Sequence, residues 1–319
     1  MTRSSRPLGE SGHLASSSRF TSEGAGRREK SRRVFYDEEI KASKVAYYMG
    51  KGVAWILSVG NELLIGRVVN TNAAWLASKL THLGYSVRRV VVVPDEEGDI
   101  VEVFREALGR ADVVISTGGL GPTPDDITNL AFCKALGVEP VVNQEALRMV
   151  KEKYEAGGYP LTLEREKMAM MPPGAKPLPN PVGTAPGILY EHGGRIVVLL
   201  PGVPREMEAI FEGYVEPVLR SRGPPVYFAE QVLVVRGVPE ADVAPVIREV
   251  MRMDPALYVK SHPKGFEVEA PLLHIHIYAS AEDRQRAEAL VEAAVGRLKQ
   301  LLIAKFGGRA EISTTQAPR

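Results

Sequence analysis

The chain of 319 residues has a single cysteine, Cys133. That excludes an internal disulfide framework and any zinc site built on several thiolates. Cys133 lies within a helical apolar pattern, where a small buried core residue is the expectation. No run of about 18 apolar residues occurs, so no membrane-spanning helix is expected. The amino terminus lacks the apolar stretch of a secretory signal, and a cytoplasmic location is the default expectation. Neither sign of charge dominates, with 40 Lys and Arg against 39 Asp and Glu. Such a balance gives no general attraction to nucleic acid or membranes, and neither is an expected partner. Two nucleotide-binding signatures are also missing. Thr123 and Pro124 follow Gly121 where a Walker motif needs Gly-Lys-Ser, and no dinucleotide-binding glycine fingerprint opens the first helix.

What is present is a glycine turn of unusual density. Residues 116–126 read Ser-Thr-Gly-Gly-Leu-Gly-Pro-Thr-Pro-Asp-Asp and follow the apolar run Val113–Ile115. Gly118, Gly119 and Gly121 let the backbone turn tightly and approach a ligand with no Cβ in the way. Pro122 and Pro124 remove two N–H donors, leaving those of the glycines, Leu120 and Thr123. A glycine loop running from a strand into a helix is a natural anion cradle. Carboxylates at its end, Asp125 and Asp126, point to a divalent cation on the same phosphates. The expected ligand is a phosphorylated small molecule together with magnesium or another divalent metal ion.

Residues 1–33 are rich in Ser, Arg, Gly and Glu and bury too little apolar surface to offset their ordering entropy. Residues 1–48 are read as a disordered tail, with Met49 near the natural start. From Val53 the pattern alternates strand and helix. The strand Val53–Val59, a helix bearing Ala73, Leu76, Leu80 and Leu83, the strand Val87–Val93, a helix bearing Ile100 to Leu108, a strand ending at Thr117 and a helix over Ile127–Leu136 follow in turn. This order predicts an α/β fold with a doubly wound, mostly parallel sheet over residues 50–222. Further helices are expected at Gln144–Glu155 and Leu163–Met171, then a hairpin of Ile188–Tyr190 with Ile196–Leu200, then a helix over Arg205–Leu219. Beyond a linker at Ser221–Pro225, residues 226–304 read as a smaller βαββα domain: strand 230–236, helix 240–253, strands 257–261 and 267–279, helix 282–302. Residues 305–319 read as a loose tail.

Ligands of doubly wound sheets bind beyond the carboxyl ends of the strands. Glu62, just after the first strand, is therefore placed to reach a metal held by Asp125 or Asp126, although local capping or pairing would also account for it. Asp125 and Asp126 are adjacent and need not share a role; one could cap the following helix. Thr117 and Thr123 offer hydroxyls to a phosphate. Gly183, Thr184 and Gly187 form a second donor-bearing loop and Gly202 a third, and together the loops could share a pyrophosphate. Arg205-Glu206-Met207-Glu208 bears a partial likeness to a Nudix box, but Ala209 and Ile210 stand where its metal-binding glutamates belong. His274 and His276 share one strand face at period two and lack a third ligand for zinc.

Gly60-Asn-Glu-Leu-Leu64 with Gly66, Asn70-Thr-Asn72, Thr117–Asp126, Asn180–Gly187 and Leu200-Pro-Gly-Val-Pro-Arg-Glu-Met207 together resemble the amino-terminal domain of the CinA family (competence/damage-inducible proteins). That domain is akin to the MoaB/Mog-type molybdopterin-binding domains, and residues 226–302 resemble the KH-like domain that follows it. The resemblance implies metal-dependent hydrolysis of ADP-ribose-like pyrophosphates to AMP and a sugar phosphate; on the reading of the strand ends above, Glu62, Asp125 and Asp126 are the expected catalytic and metal-holding residues. It also implies a homo-oligomer. The molybdopterin relatives imply an alternative, binding or adenylylation of the pterin; a non-catalytic nucleotide-binding regulator is a third. The family usually has Asp where this chain has Asn61, and the carboxy-terminal domain with nicotinamide-nucleotide amidase activity is not seen here, so that activity is not expected.

Overall fold

The computed structural model describes residues 52–223 and 225–315. The tail read over residues 1–48 and the start at Met49 lie outside the described residues. The first domain runs β1 (Gly52–Val59), α1 (Asn61–Leu64), α2 (Thr71–His82), β2 (Tyr85–Val93), α3 (Glu97–Arg110), β3 (Val113–Thr117) and α4 (Thr128–Leu136). It continues with β4 (Val141–Val142), α5 (Gln144–Ala156), α6 (Leu163–Lys167), β5 (Met170–Met171), β6 (Lys176–Leu178), β7 (Gly187–His192) and β8 (Arg195–Leu200). It closes with α7 (Pro204–Ile210), a π-helical turn over Phe211–Val215 and α8 (Glu216–Arg222).

One six-stranded sheet, ordered β2-β1-β3-β8-β7-β6, organises these elements. β2, β1, β3 and β8 are mutually parallel; the hairpin partner β7 and then β6 add antiparallel. The central strands are near-continuous apolar runs because both faces are covered. Trp55, Leu57 and Val59 face a core with Phe104 and Phe132. Ala54 and Ile56 face the opposite core, with Leu76, Leu80 and Phe211. The helix expected over Leu163–Met171 ends at Lys167, because Met170–Met171 pairs with Val141–Val142 instead. The helix after β8 carries its π turn just ahead of Pro217. That proline has no N–H for the preceding turn, and its ring crowds the carbonyl four residues back.

The second domain runs β9 (Tyr227–Arg236), α9 (Glu240–Met251), β10 (Leu257–Pro263), β11 (Leu272–Ala281), α10 (Arg284–Phe306) and β12 (Glu311–Thr315). Its sheet is antiparallel in the order β10-β11-β9-β12, the split-βαβ arrangement of ferredoxin-like folds. Two expectations change here. The strand read from 267 begins at Leu272. The tail read as loose from residue 305 supplies instead the end of α10 and the edge strand β12, which pairs with β9 from Glu311↔Arg236 to Thr315↔Val232. Helices cover one face, over Leu233, Val235, Leu273, Ile275 and Ile277. His82 at the end of α2 meets this domain, stacking edge-on to Phe228 at 4.9 Å and lying 3.6 Å from Glu230.

Candidate functional site at the carboxyl edge of the sheet

The register brings three strand ends together, since Ser58 pairs with Thr117 and Thr117 with Leu200. β7 runs opposite to β8, so its first residues lie beside the end of β8 (Ile188↔Leu199). The loops after β1, after β3, before β7 and after β8 therefore share one edge. Hydrogen bonds lock three of them. The Gly118 amide donates to the Leu200 carbonyl at 3.0 Å. The Asn72 side-chain amide donates to the Gly202 carbonyl at 2.8 Å. Asn70 donates to the Ser58 hydroxyl at 2.9 Å and caps α2 by accepting from the Ala73 amide.

Glycine is required where the turn after β3 meets its neighbours. Gly118 and Gly119 have φ of 100° and 67°, a region other residues enter only with strain. A Cβ on Gly118 would stand 2.2 Å from the Val59 carbonyl oxygen, and one on Gly119 2.1 Å from the Thr128 hydroxyl oxygen. The amides of Gly119, Leu120 and Gly121 donate no hydrogen bond among the described residues. Successive unpaired N–H groups in such a turn form an anion-binding concavity. Beside it lie buried polar atoms with no partner: Asn72 Oδ1, from the side chain that holds Gly202, and Thr128 Oγ1, against Gly119; Ser116 Oγ on β3 is a further one. Each such atom costs about 1–3 kcal/mol when unsatisfied, so a polar ligand fits this edge better than an apolar one.

The acidic end of the turn folds onto Thr123. Asp126 accepts from the Thr123 amide at 2.9 Å and from its hydroxyl at 2.6 Å; Asp125 lies 2.5 Å from the same hydroxyl. One hydroxyl hydrogen serves one carboxylate at a time, so the second is left with acceptor capacity. The Thr123 hydroxyl, first among several influences, holds the Asp125 carboxyl below its ordinary pKa. The Lys167 ammonium donates to the Thr123 carbonyl. Neither aspartate caps α4: its N-cap is Ile127, with no side-chain bond. Glu62 is exposed and curls back over Gly60, whose Cβ position is 2.5 Å from the Glu62 carboxylate. Among the described residues no three His, Cys, Asp or Glu side chains form a metal-holding group, so Glu62, Asp125 and Asp126 are not gathered into one. Asp125 and Asp126 with Thr123 remain a hard-oxygen set of the kind that holds magnesium with only one or two carboxylates, phosphates supplying other ligands.

The loop before β7 is on the same edge, but the amides of Val182 and Gly183 are engaged. Asn180 Oδ1 accepts from the amides of Val182 and Gly183, at 3.1 and 2.7 Å. Its side-chain amide donates to the Ala185 carbonyl and to Glu206 at 2.9 and 2.7 Å. A Cβ on Gly183 would fall 2.1 Å from the Glu206 carboxylate. Gly183 is thus compelled by a side chain of α7, and its amide is taken. Thr184 is half-buried beside it. The positioning roles of Asn72, Asn180 and Glu206 went unread in the sequence; the only signal was an asparagine or glutamate beside a glycine turn, which many loops share. Cys133 is fully buried, and burial pushes its thiol up to about 11, which leaves it inert as a nucleophile.

Residues 55–221 match the family described as a probable molybdopterin binding domain. A protein of Pyrobaculum aerophilum is 80% identical over 264 residues, covering 83% of this chain and 99% of its own. One from Caldivirga maquilingensis is 51% identical over 246 residues, covering 77% of this chain and 95% of its own. Among solved structures, the protein CinA with unknown function from Thermoplasma acidophilum is 48% identical, with a TM-score of 0.50, over 52% of this chain and 98% of that one. The chain belongs to the family of the probable molybdopterin binding domain, with a CinA protein as a structural neighbour.

Proposed function

We propose that the first domain binds a pyrophosphate-bearing nucleotide at the carboxyl edge of β1, β3 and β8, and hydrolyses ADP-ribose-like compounds to AMP and a sugar phosphate. The observation that carries the reading is the run of three unpaired amides, Gly119 to Gly121, directly before two carboxylates gathered on Thr123. The amides, with that of Gly202, would hold phosphate oxygens, and such fixed dipoles favour charge as it develops. The Thr117 and Thr123 hydroxyls would orient the same group. Asp125 and Asp126 would hold a divalent ion, and Glu62, in the loop after β1 on the same edge, would orient water. Such an ion, when bound, neutralises the bridging oxygens and makes water a stronger nucleophile. Among the described residues no histidine lies in these loops, so the chain offers no imidazole base there.

The direct test is incubation with a panel of nucleotide sugars and divalent ions, reading AMP release. Release from ADP-ribose that requires Asp126 supports the reading. The family match favours a second one, binding or adenylylation of molybdopterin. Adenylyl transfer to the pterin without ADP-ribose hydrolysis would select it. Tight nucleotide binding with no product in any divalent ion would instead leave a regulator.

A further inference from the structure

The second domain concentrates histidine. Of the chain's six histidines, three stand on the β10–β11 hairpin. His262 is directly opposite His274 across the antiparallel ladder, so the two share a face. His276 lies two residues on, on that face again. The alternation of burial along β11 shows which face it is. Leu273, Ile275 and Ile277 are buried under the helices, whereas His274 and His276 are only half-buried and His262 is exposed. The geometry points to a transition-metal site formed by His262, His274 and His276, with zinc the best-matched ion.

A His-x-His pair on one strand and a third histidine on the strand beside it place three imidazoles on one face of the sheet. The rings of His262 and His276 are already 4.9 Å apart, edge to face. Two imidazoles on one tetrahedral zinc, with Zn–N of about 2.0–2.1 Å, have centroids about 5 Å apart. In the conformation described no three such side chains form a finished cage; His262 and His276 already meet, and His274 is the ring that has to turn toward them. Zinc takes neutral imidazole. Glu230 favours positive charge at His276, whereas Lys264 opposes it. Lys260, directly opposite His276, adds a further positive charge on that face. Three protein nitrogens leave a fourth position for water or an external ligand, the open kind of zinc site. This inference does not depend on the nucleotide edge.

Zinc chloride is titrated into the full chain by calorimetry, and cobalt is substituted to read the tetrahedral absorption bands. One ion per chain is expected. H262A, H274A and H276A should each weaken binding by at least the about 10–100-fold that loss of even an outer partner costs. H276Q should fail to restore it, and K260A should tighten it. H192A, on the other domain, should bind as the parent does. H262A carries the test if the half-buried variants misfold, because that side chain is exposed. Absence of saturable zinc binding, or binding that survives all three substitutions, would overturn the assignment.

Discussion

The turn at 118–121 and the loop at 183–187 sit on the same sheet edge and are both glycine-bearing, yet the amides of Gly119–Gly121 and that of Gly183 end in opposite states. In the first, Gly118 is forced by backbone, the Val59 carbonyl, and the amides that follow have no partner. In the second, glycine is forced by a side chain, Glu206 against Gly183, and Asn180 takes the Gly183 amide. Glycine therefore reports close approach, but not what approaches. A ligand-binding amide is identified only when every competing acceptor around it has been accounted for.

The sharpest way to break this comparison is to add one methyl group to each loop. G118A places a Cβ against backbone at positive φ and should destabilise the domain by about 3 kcal/mol or more. G183A meets only the end of a side chain at ordinary φ and should cost clearly less; denaturation midpoints compare the two. Next in size is D126N, which keeps an acceptor for Thr123 but removes the charge. It should lower ADP-ribose turnover by about 10²-fold or more with an unchanged melting curve. N180A removes four hydrogen bonds and leaves Glu206 without its partner. It should destabilise by about 2–3 kcal/mol, yet leave nucleotide affinity within about threefold of the parent if phosphates are held by the Gly119–Gly121 amides rather than by that of Gly183; calorimetric affinity checks this.

The smallest effect lies between the two domains. Glu230 raises the His82 pKa above 6.5. Its contribution is complete below about pH 6.5 and is lost as pH rises through the raised folded value. Both groups are partly solvated, so the loss should be under about 1 kcal/mol, seen as a pH-dependent midpoint between about pH 6 and 8 that disappears in H82Q.

Much of the first domain was legible. An apolar run marks β1 and largely β-branched runs mark β2 and β3, and the end of β3 at Thr117 follows from the glycines that come after it. The edge location of the site followed from the βα alternation. Elements held by tertiary pairing were not legible. β12 has one large apolar residue, Ile312, and is a strand because β9 offers it an open edge. Met170–Met171 reads as the end of a helix until Val141–Val142 pairs with it. Aspartates before a helix read as caps, and nothing local reveals that both turn back to Thr123. The third histidine, His262, is 12 residues from His274 in sequence, and only the hairpin register joins them.

Backbone amide resonances followed by NMR during titration with ADP-ribose and magnesium test the central claim most directly. Binding should move the Gly119, Leu120 and Gly121 amides strongly downfield and leave Gly183 almost unmoved. A shift concentrated at Gly183 to Gly187, with residues 119–121 silent, would contradict the account.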